Sequence, residues 1–174
     1  MGNLNKFKPY NSSDKCGVYA LFLKQTGDLS KLLKNEWGCK ISNNLSNYLL
    51  YIGKEQNKLK TRIQNNHLHG IIRNSTLRWT IAYMAGMKLY GIQNTKPKVN
   101  RKIKRSDEQK ITQWLLENTE FKIIESGDYK NLEKFYIETY VPPLNITYNP
   151  NPIILKGERT KNFIYISRDE FQNL

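Results

Sequence analysis

Two runs of the chain, Val18–Leu23 (VYALFL) and Leu49–Ile52 (LLYI), contain no charged side chain. Apolar runs of this length, without alternation, suit strands that are covered on both faces. Leaving them in water is costly, so whatever fold the chain adopts must set these two strands in a sheet with material packed on each side. Each run also carries a tyrosine, Tyr19 and Tyr51. Either one alone reads as a core residue whose hydroxyl has found a partner.

The rest of the chain supplies the covering. Between the two runs, residues 25–47 contain Gly27, Gly38 and several Asn and Ser residues, which reads as a long insertion with a short helix at Leu29–Leu33. After Gly53, Leu59, Ile63 and either Asn66 or His67 share a helical face. Ser75 and Thr76 then cap a more apolar helix expected over Leu77–Leu89. Ser106-Asp-Glu-Gln109 has the form of a capping box ahead of Ile111, Trp114 and Leu115. Glu120–Glu125 suits a third strand, and a helix over Asp128–Tyr140 must stop at Pro142-Pro143. A further strand is expected at Phe163–Ser167, with no assignable place. Strands alternate with helices, so the class is α/β or α+β with a small sheet. At 174 residues the economical reading is one domain spanning 1–174, with a core near 16–149, the insertion 25–47 and an extension 150–174.

Charge narrows the partner. The net formal charge is +13, and the stretch from Trp37 to Ser106 holds fourteen Lys or Arg against one acid, Glu55. The remainder of the chain is balanced. A concentrated excess interleaved with Trp79, Tyr83 and Tyr90 favours a phosphate backbone, and no strongly amphipathic basic helix points to a membrane surface instead. The phosphate-contact candidates are Lys54, Lys58, Lys60, Arg73, Arg78, Lys96, Lys98, Arg101, Lys102, Lys104 and Arg105. Cys16 and Cys39 are too few for a disulfide framework or a zinc site. No apolar run is long enough to span a bilayer and no signal-peptide pattern opens the chain, so a soluble intracellular protein is expected.

One carboxylate stands out. On the 128–140 helix, Tyr129, Leu132, Tyr136, Ile137 and Tyr140 form an inward stripe, and Glu133 falls within it. Glu138, five residues on, points about 140° away and should be solvated. A carboxylate on an apolar face must be neutralised, paired or bound to metal, and a structural salt bridge is as good a reading as a metal site.

Taken together, Gly-Val-Tyr19, Tyr51-Ile-Gly53, Arg62, Glu133 and Pro143-Leu-Asn145 resemble the GIY-YIG nuclease superfamily, in order and over roughly Cys16 to Asn149. The stretch STLRWTIAYMAG and the helix after it are similar to a bacterial subgroup of small standalone members. The resemblance implies a small central antiparallel sheet flanked by helices, with both motif tyrosines lining an active site. By that resemblance Tyr19 is the general base or orients the attacking water, and Tyr51 assists. Since a free phenol titrates near about 10, its proton loss must be eased by a cation or a hydrogen-bond chain. Arg62 would hold the scissile phosphate, Glu133 one Mg²⁺ or Mn²⁺ ion per site, and Asn145 would tie the glutamate helix to the site. Lys54 would contact the backbone or the site. Many members carry a histidine four residues after the arginine, where this chain has Asn66. Three readings stay open: His67 takes that place through a helix irregularity, His69 takes it, or the place is empty.

The tyrosine motifs lie 32 residues apart, longer than in minimal members. Some restriction endonucleases of the superfamily share this extended connection and a GVYALY motif. The resemblance therefore implies a DNA endonuclease acting on duplex DNA, in the cytoplasm and associated with the nucleoid. A restriction enzyme, expected as a homodimer, is the first choice. A repair or mobile-element nicking enzyme, or a non-catalytic DNA-binding protein on the same scaffold, is the alternative.

Overall fold

In the computed structural model, which describes residues 3–43, 47–92, 100–155, 157–161 and 163–174, both apolar runs are strands. The chain runs through β1 (Lys8–Pro9), β2 (Gly17–Leu23), α1 (Asn35–Asn43), β3 (Leu49–Glu55), a π-helical segment Thr61–Leu68, α2 (Thr76–Met84) and β4 (Leu89–Ile92). It continues through β5 (Asn100–Lys102), α3 (Arg105–Asn118), β6 (Thr119–Glu125), α4 (Tyr129–Tyr140), α5 (Glu158–Lys161), β7 (Phe163–Ile166) and α6 (Arg168–Gln172).

The main sheet is antiparallel throughout, in the order β1-β6-β2-β3. All seven residues of β2 are buried, as its unbroken apolar sequence requires, and β2 is paired on both sides. Its two faces feed two cores. Tyr19, Leu21 and Leu23 face the π-helical segment, α2 and α3, while Val18, Ala20 and Phe22 pack with Phe7, Tyr136 and Ile137 on the α4 side. The result is a mixed α/β fold with an antiparallel sheet flanked by helices. Leu21 pairs with Tyr51 but Phe22 with Leu49, so Leu50 is an extra residue in β3. This bulge places Leu50 and Tyr51 together in the first core and frees the Leu50 carbonyl to accept from the Leu144 N–H at 3.0 Å.

Several elements depart from expectation. The expected helix at Leu29–Leu33 is a turn, and the insertion's helix is α1, seated through Trp37 and Ile41. Helix α2 stops at Met84 because Gly86 turns the chain at φ +69°, so Leu89 starts a strand instead of ending the helix. The capping box does not form: α3 begins at Arg105 with Lys104 at its N-cap and no side-chain cap bond. The tail strand gains a place in a second sheet, β5-β4-β7, where β7 runs parallel to β4. Among the described residues, no helix is long and apolar enough to cross a membrane.

Arg78 corrects the charge reading. It is fully buried and so is no phosphate contact. Its guanidinium meets the Glu108 carboxylate at 2.8 and 3.1 Å, donates to Thr112 Oγ1, and satisfies the carbonyls of His67 (2.9 Å), Leu68 (3.2 Å) and Glu108 (2.7 Å). One side chain thus closes the end of the π-helical segment and clamps it to α2 and α3. Removing it strands a nearly buried carboxylate and takes a donor from three carbonyls. Arg78→Ala should therefore cost about 3–5 kcal/mol of stability. Equilibrium denaturant unfolding measures this, and a loss below about 1 kcal/mol, the size of an exposed pair, would refute the role.

Candidate active site

The tyrosines are brought together by strand register. Tyr19 on β2 lies opposite Gly53 and Leu21 opposite Tyr51, so the two rings are diagonal neighbours on one face, 6.2 Å between centroids. The Tyr19 phenol lies directly over Gly53, and any Cβ there would collide with its ring and hydroxyl. The glycine two residues after Tyr51 is the space that Tyr19 occupies.

The hydroxyl of Tyr19 is held from the π-helical segment. Arg62 Nε donates to it at 3.2 Å, and His67 Nε2 lies 2.7 Å away. Arg62 and His67 are five residues apart, a spacing that an α-helix would turn away from a common face. Here the helix is wound wider, with the His69 N–H bonded to the Gln64 carbonyl five residues back, so both side chains reach one oxygen. The helix irregularity puts His67 beside Tyr19, while His69 is exposed at the segment's end. The imidazole stacks on Phe121 and its Nδ1 meets Ser75 Oγ at 2.7 Å. Ser75 also caps α2 by accepting the Arg78 N–H. Either the ring donates Nδ1–H to Ser75 and accepts at Nε2, or both bonds run the other way.

Burial sets the proton affinities of this group. It pushes the Tyr19 hydroxyl well above the ordinary phenol range, and Tyr51 adds to this while Arg62 opposes it. Tyr51 is raised as well, mainly by burial, with Arg62 pulling it down. Burial, with the cations of Arg62 and Arg78, holds His67 well below the imidazole range, so the ring is neutral at pH 7.

Beside these residues lies a cleft of about 270 Å³, lined among others by Tyr51, Lys54, Glu133, Asn145, Tyr148 and Arg159. Tyr51 is 8% exposed and Tyr19 0%, so Tyr51 faces the cleft and Tyr19 stands behind it. Direct contact of Tyr19 with an attacking water, as its reading as general base supposed, does not match this layering. Glu133 projects from α4 and is ion-paired with Lys54. Glu138 points to solvent, with its carboxylate 3.8 Å from Lys134. Among the described residues there is no group of three or more His, Cys, Asp or Glu side chains that could hold a metal. A single carboxylate in an open cleft suits a hard ion such as Mg²⁺, which keeps most of its waters, and Lys54 is the cation Glu133 holds in this structure. Asn145 grips the middle of the second tyrosine motif, its Oδ1 accepting the Ile52 N–H and its Nδ2 donating to the Ile52 carbonyl, both at 2.8 Å.

The remaining basic candidates scatter. Lys58, Lys60, Arg73 and Arg105 are exposed, and Lys102 and Lys104 are half-buried, Lys102 lying over Phe171. Arg101 stacks on Trp79. Lys96 and Lys98 lie outside the described residues. Arg159 had no sequence signal: it sits in the tail, outside the basic segment, and only the fold brings it to Tyr51.

The buried neutral imidazole makes stability pH-dependent. Its folded pKa is depressed, so its contribution is complete above the unfolded value near 6.5 and is lost as pH falls below it, at up to about 1.4 kcal/mol per pH unit. Wild-type melting temperature should be level from pH 8 to about 7 and fall from about 6.5 towards 5. His67→Gln should melt lower at pH 8 but with a flatter profile. Identical slopes in both proteins would rule out His67 as the source.

No curated protein and no solved structure matches the sequence at the level asked of either comparison. A family model does: that of the GIY-YIG catalytic domain, matched over residues 17–162 and so across β2 to β6, the π-helical segment, α4 and the asparagine that follows it. With the match covering most of its length, this chain belongs to the GIY-YIG catalytic domain family and carries a nuclease domain.

Proposed function

We propose that the chain is a divalent-metal-dependent endonuclease that hydrolyses phosphodiester bonds in duplex DNA, in the manner of a sequence-specific restriction enzyme. The observation that carries this reading is the hydroxyl of Tyr19, held between Arg62 and His67 directly behind a cleft containing Tyr51 and Glu133. A residue that merely filled the core would need one partner, not a permanent cation and a neutral base. Among the described residues no carboxylate ion-pairs with Arg62, which leaves its charge for a phosphate. The restriction reading draws its support from the long β2–β3 connection carrying α1, and from the GVYALF sequence of β2.

In this reading Tyr51 meets the attacking water and the two tyrosines act as a relay. The water's proton passes to the Tyr51 oxygen, the Tyr51 proton to Tyr19, and the Tyr19 proton to His67 Nε2. His67 is then the tautomer that donates Nδ1–H to Ser75. The relay answers the difficulty of a buried phenol, since no tyrosinate has to persist. Burial keeps His67 neutral, which leaves a lone pair at Nε2 for the Tyr19 proton, and burial with Arg62 and Arg78 makes the protonated ring short-lived. Arg62 stays charged throughout and lies beside the Tyr19 oxygen, where negative charge passes. Glu133 would hold the metal ion once Lys54 has released it and moved to a phosphate. The ion would polarise the phosphate and offset charge growing on the leaving oxygen. Each chain carries one such site, so cutting both strands needs two chains or two encounters, and a homodimer is the arrangement proposed.

Supercoiled plasmid should be nicked or linearised by the protein with Mg²⁺ or Mn²⁺, and EDTA should stop it. Glu133→Gln should abolish cleavage while mobility-shift binding persists; a variant that still cuts removes Glu133 from the metal site. Tyr19→Phe and Tyr51→Phe each delete one hydroxyl of the relay and should slow cleavage by about 10²–10⁴-fold with little change in melting temperature. Wild-type rates in Tyr19→Phe would make Tyr19 a core residue and end the relay.

A further inference from the structure

The tail brings a cation to the cleft whose own partner is missing. Arg159, on α5, is 8% exposed and lines the same cleft as Tyr51 and Glu133. Its Nη1 donates to Thr80 Oγ1 at 2.7 Å, and its guanidinium lies 3.9 Å from the centre of the Trp79 ring. Arg101, from β5, sits on the same indole at 4.3 Å. Among the described residues neither arginine forms an ion pair with a carboxylate, whereas Arg78, the other deeply buried guanidinium, has Glu108. Burial, with Arg101 close by, pulls Arg159 down to about 10. Two donors at this indole are also idle: Arg159 Nε and Trp79 Nε1 are buried, and neither has an acceptor among the described residues.

Buried donors are rarely left unmade, and two like charges gathered on one ring repel each other unless an anion joins them. Cation–π contact with Trp79 offsets part of the cost and fixes the planar faces, but it satisfies no N–H. The idle Nε shows that the Arg159 guanidinium is not fully engaged where it rests. What the cluster lacks is a group with negative charge and several acceptor oxygens, beside a cleft where a phosphodiester would bind.

We propose that Arg159 and Arg101, braced on Trp79, form a second phosphate-binding subsite that takes a backbone phosphate neighbouring the scissile one on the same DNA strand. This rests on the nuclease reading, since the phosphate belongs to the same strand that meets Tyr51 and Glu133. The tail after Asn149 then belongs to the substrate-binding surface, with β5 and α5 each supplying one arginine to hold the strand.

The test is the salt dependence of DNA binding, because a purely structural arginine leaves that slope alone. Fluorescence anisotropy with a short labelled duplex in EDTA separates binding from cleavage. Arg159→Gln, which can still bond Thr80, should weaken binding by about tenfold. It should also reduce the slope of log affinity against log salt by about 0.9, the value for one phosphate contact. Arg159→Lys should restore most of the slope but not the affinity, since it keeps the charge and loses the planar stack. A folded Arg159→Gln protein with wild-type affinity and slope overturns the subsite while leaving the nuclease reading untouched. Wild-type protein that neither binds nor cuts DNA defeats the nuclease reading itself. Should Arg159→Gln melt far below wild type, Arg101→Gln carries the test, and an unchanged slope there overturns the proposal equally.

Discussion

One buried guanidinium organises the site from behind, through the backbone of His67. Arg78 takes the carbonyls that end the π-helical segment, holds Glu108 of α3, and lends its own N–H to Ser75, which in turn fixes the imidazole of His67. Hold that group in place and the wide helical turn is closed, with Arg62 and His67 aimed at a single hydroxyl. Without it, three elements would lose their common anchor and the tyrosine would lose the orientation of both its partners. A helical segment bonded five residues back ends in carbonyls that its own backbone does not satisfy, and a planar fork of donors is suited to collect them.

How much of this was legible in the sequence follows from what each residue depends on. β2, β3 and α4 were readable because unbroken apolar runs and a regular stripe leave one burial solution, and α4 ends where Pro142 requires. His67 was ambiguous because a period of 3.6 places Asn66, not His67, over Arg62, and a one-residue widening is not written in any local propensity. Arg78 was misread for a different reason. Counting charge along a chain treats every guanidinium as solvated, and its acid partner lies thirty residues away in another helix. Glu108 shows the same thing from the other side: its carboxylate is taken by Arg78 and by the Ile72 N–H, so the first turn of α3 is organised around tertiary contacts, not a capping box. The tail was opaque because β7 is short and finds its partner in β4, some seventy residues earlier.

The two tyrosines show how far a motif can be explained by packing alone. Tyr19 needs Gly53 across the ladder because its ring lies where a side chain would stand, and Gly17 is held by the Ile124 carbonyl on the neighbouring strand in the same way. Those glycines follow from close approach whatever the chemistry. The hydroxyl's partners do not, since a phenol in a core can be satisfied by one carbonyl. It is the pairing of a cation with a neutral base around Tyr19, and Glu133 in the cleft beyond Tyr51, that packing alone does not account for and that the proposed chemistry draws on.

The grip of Asn145 on Ile52 has a consequence beyond the site. β3 is the outer strand of the main sheet, and an outer strand offers its unpaired backbone groups to any other extended chain. The amide of Asn145 imitates a peptide group and takes both the N–H and the carbonyl of Ile52, while Leu144 takes the carbonyl at the bulge. The segment after α4 thereby acts as a cover strip along the sheet's open side. The residue that the family resemblance ties to catalysis thus also protects the molecule from sticking to its own copies, so detachment of this strip would expose a sheet edge to self-association as it disturbed the cleft.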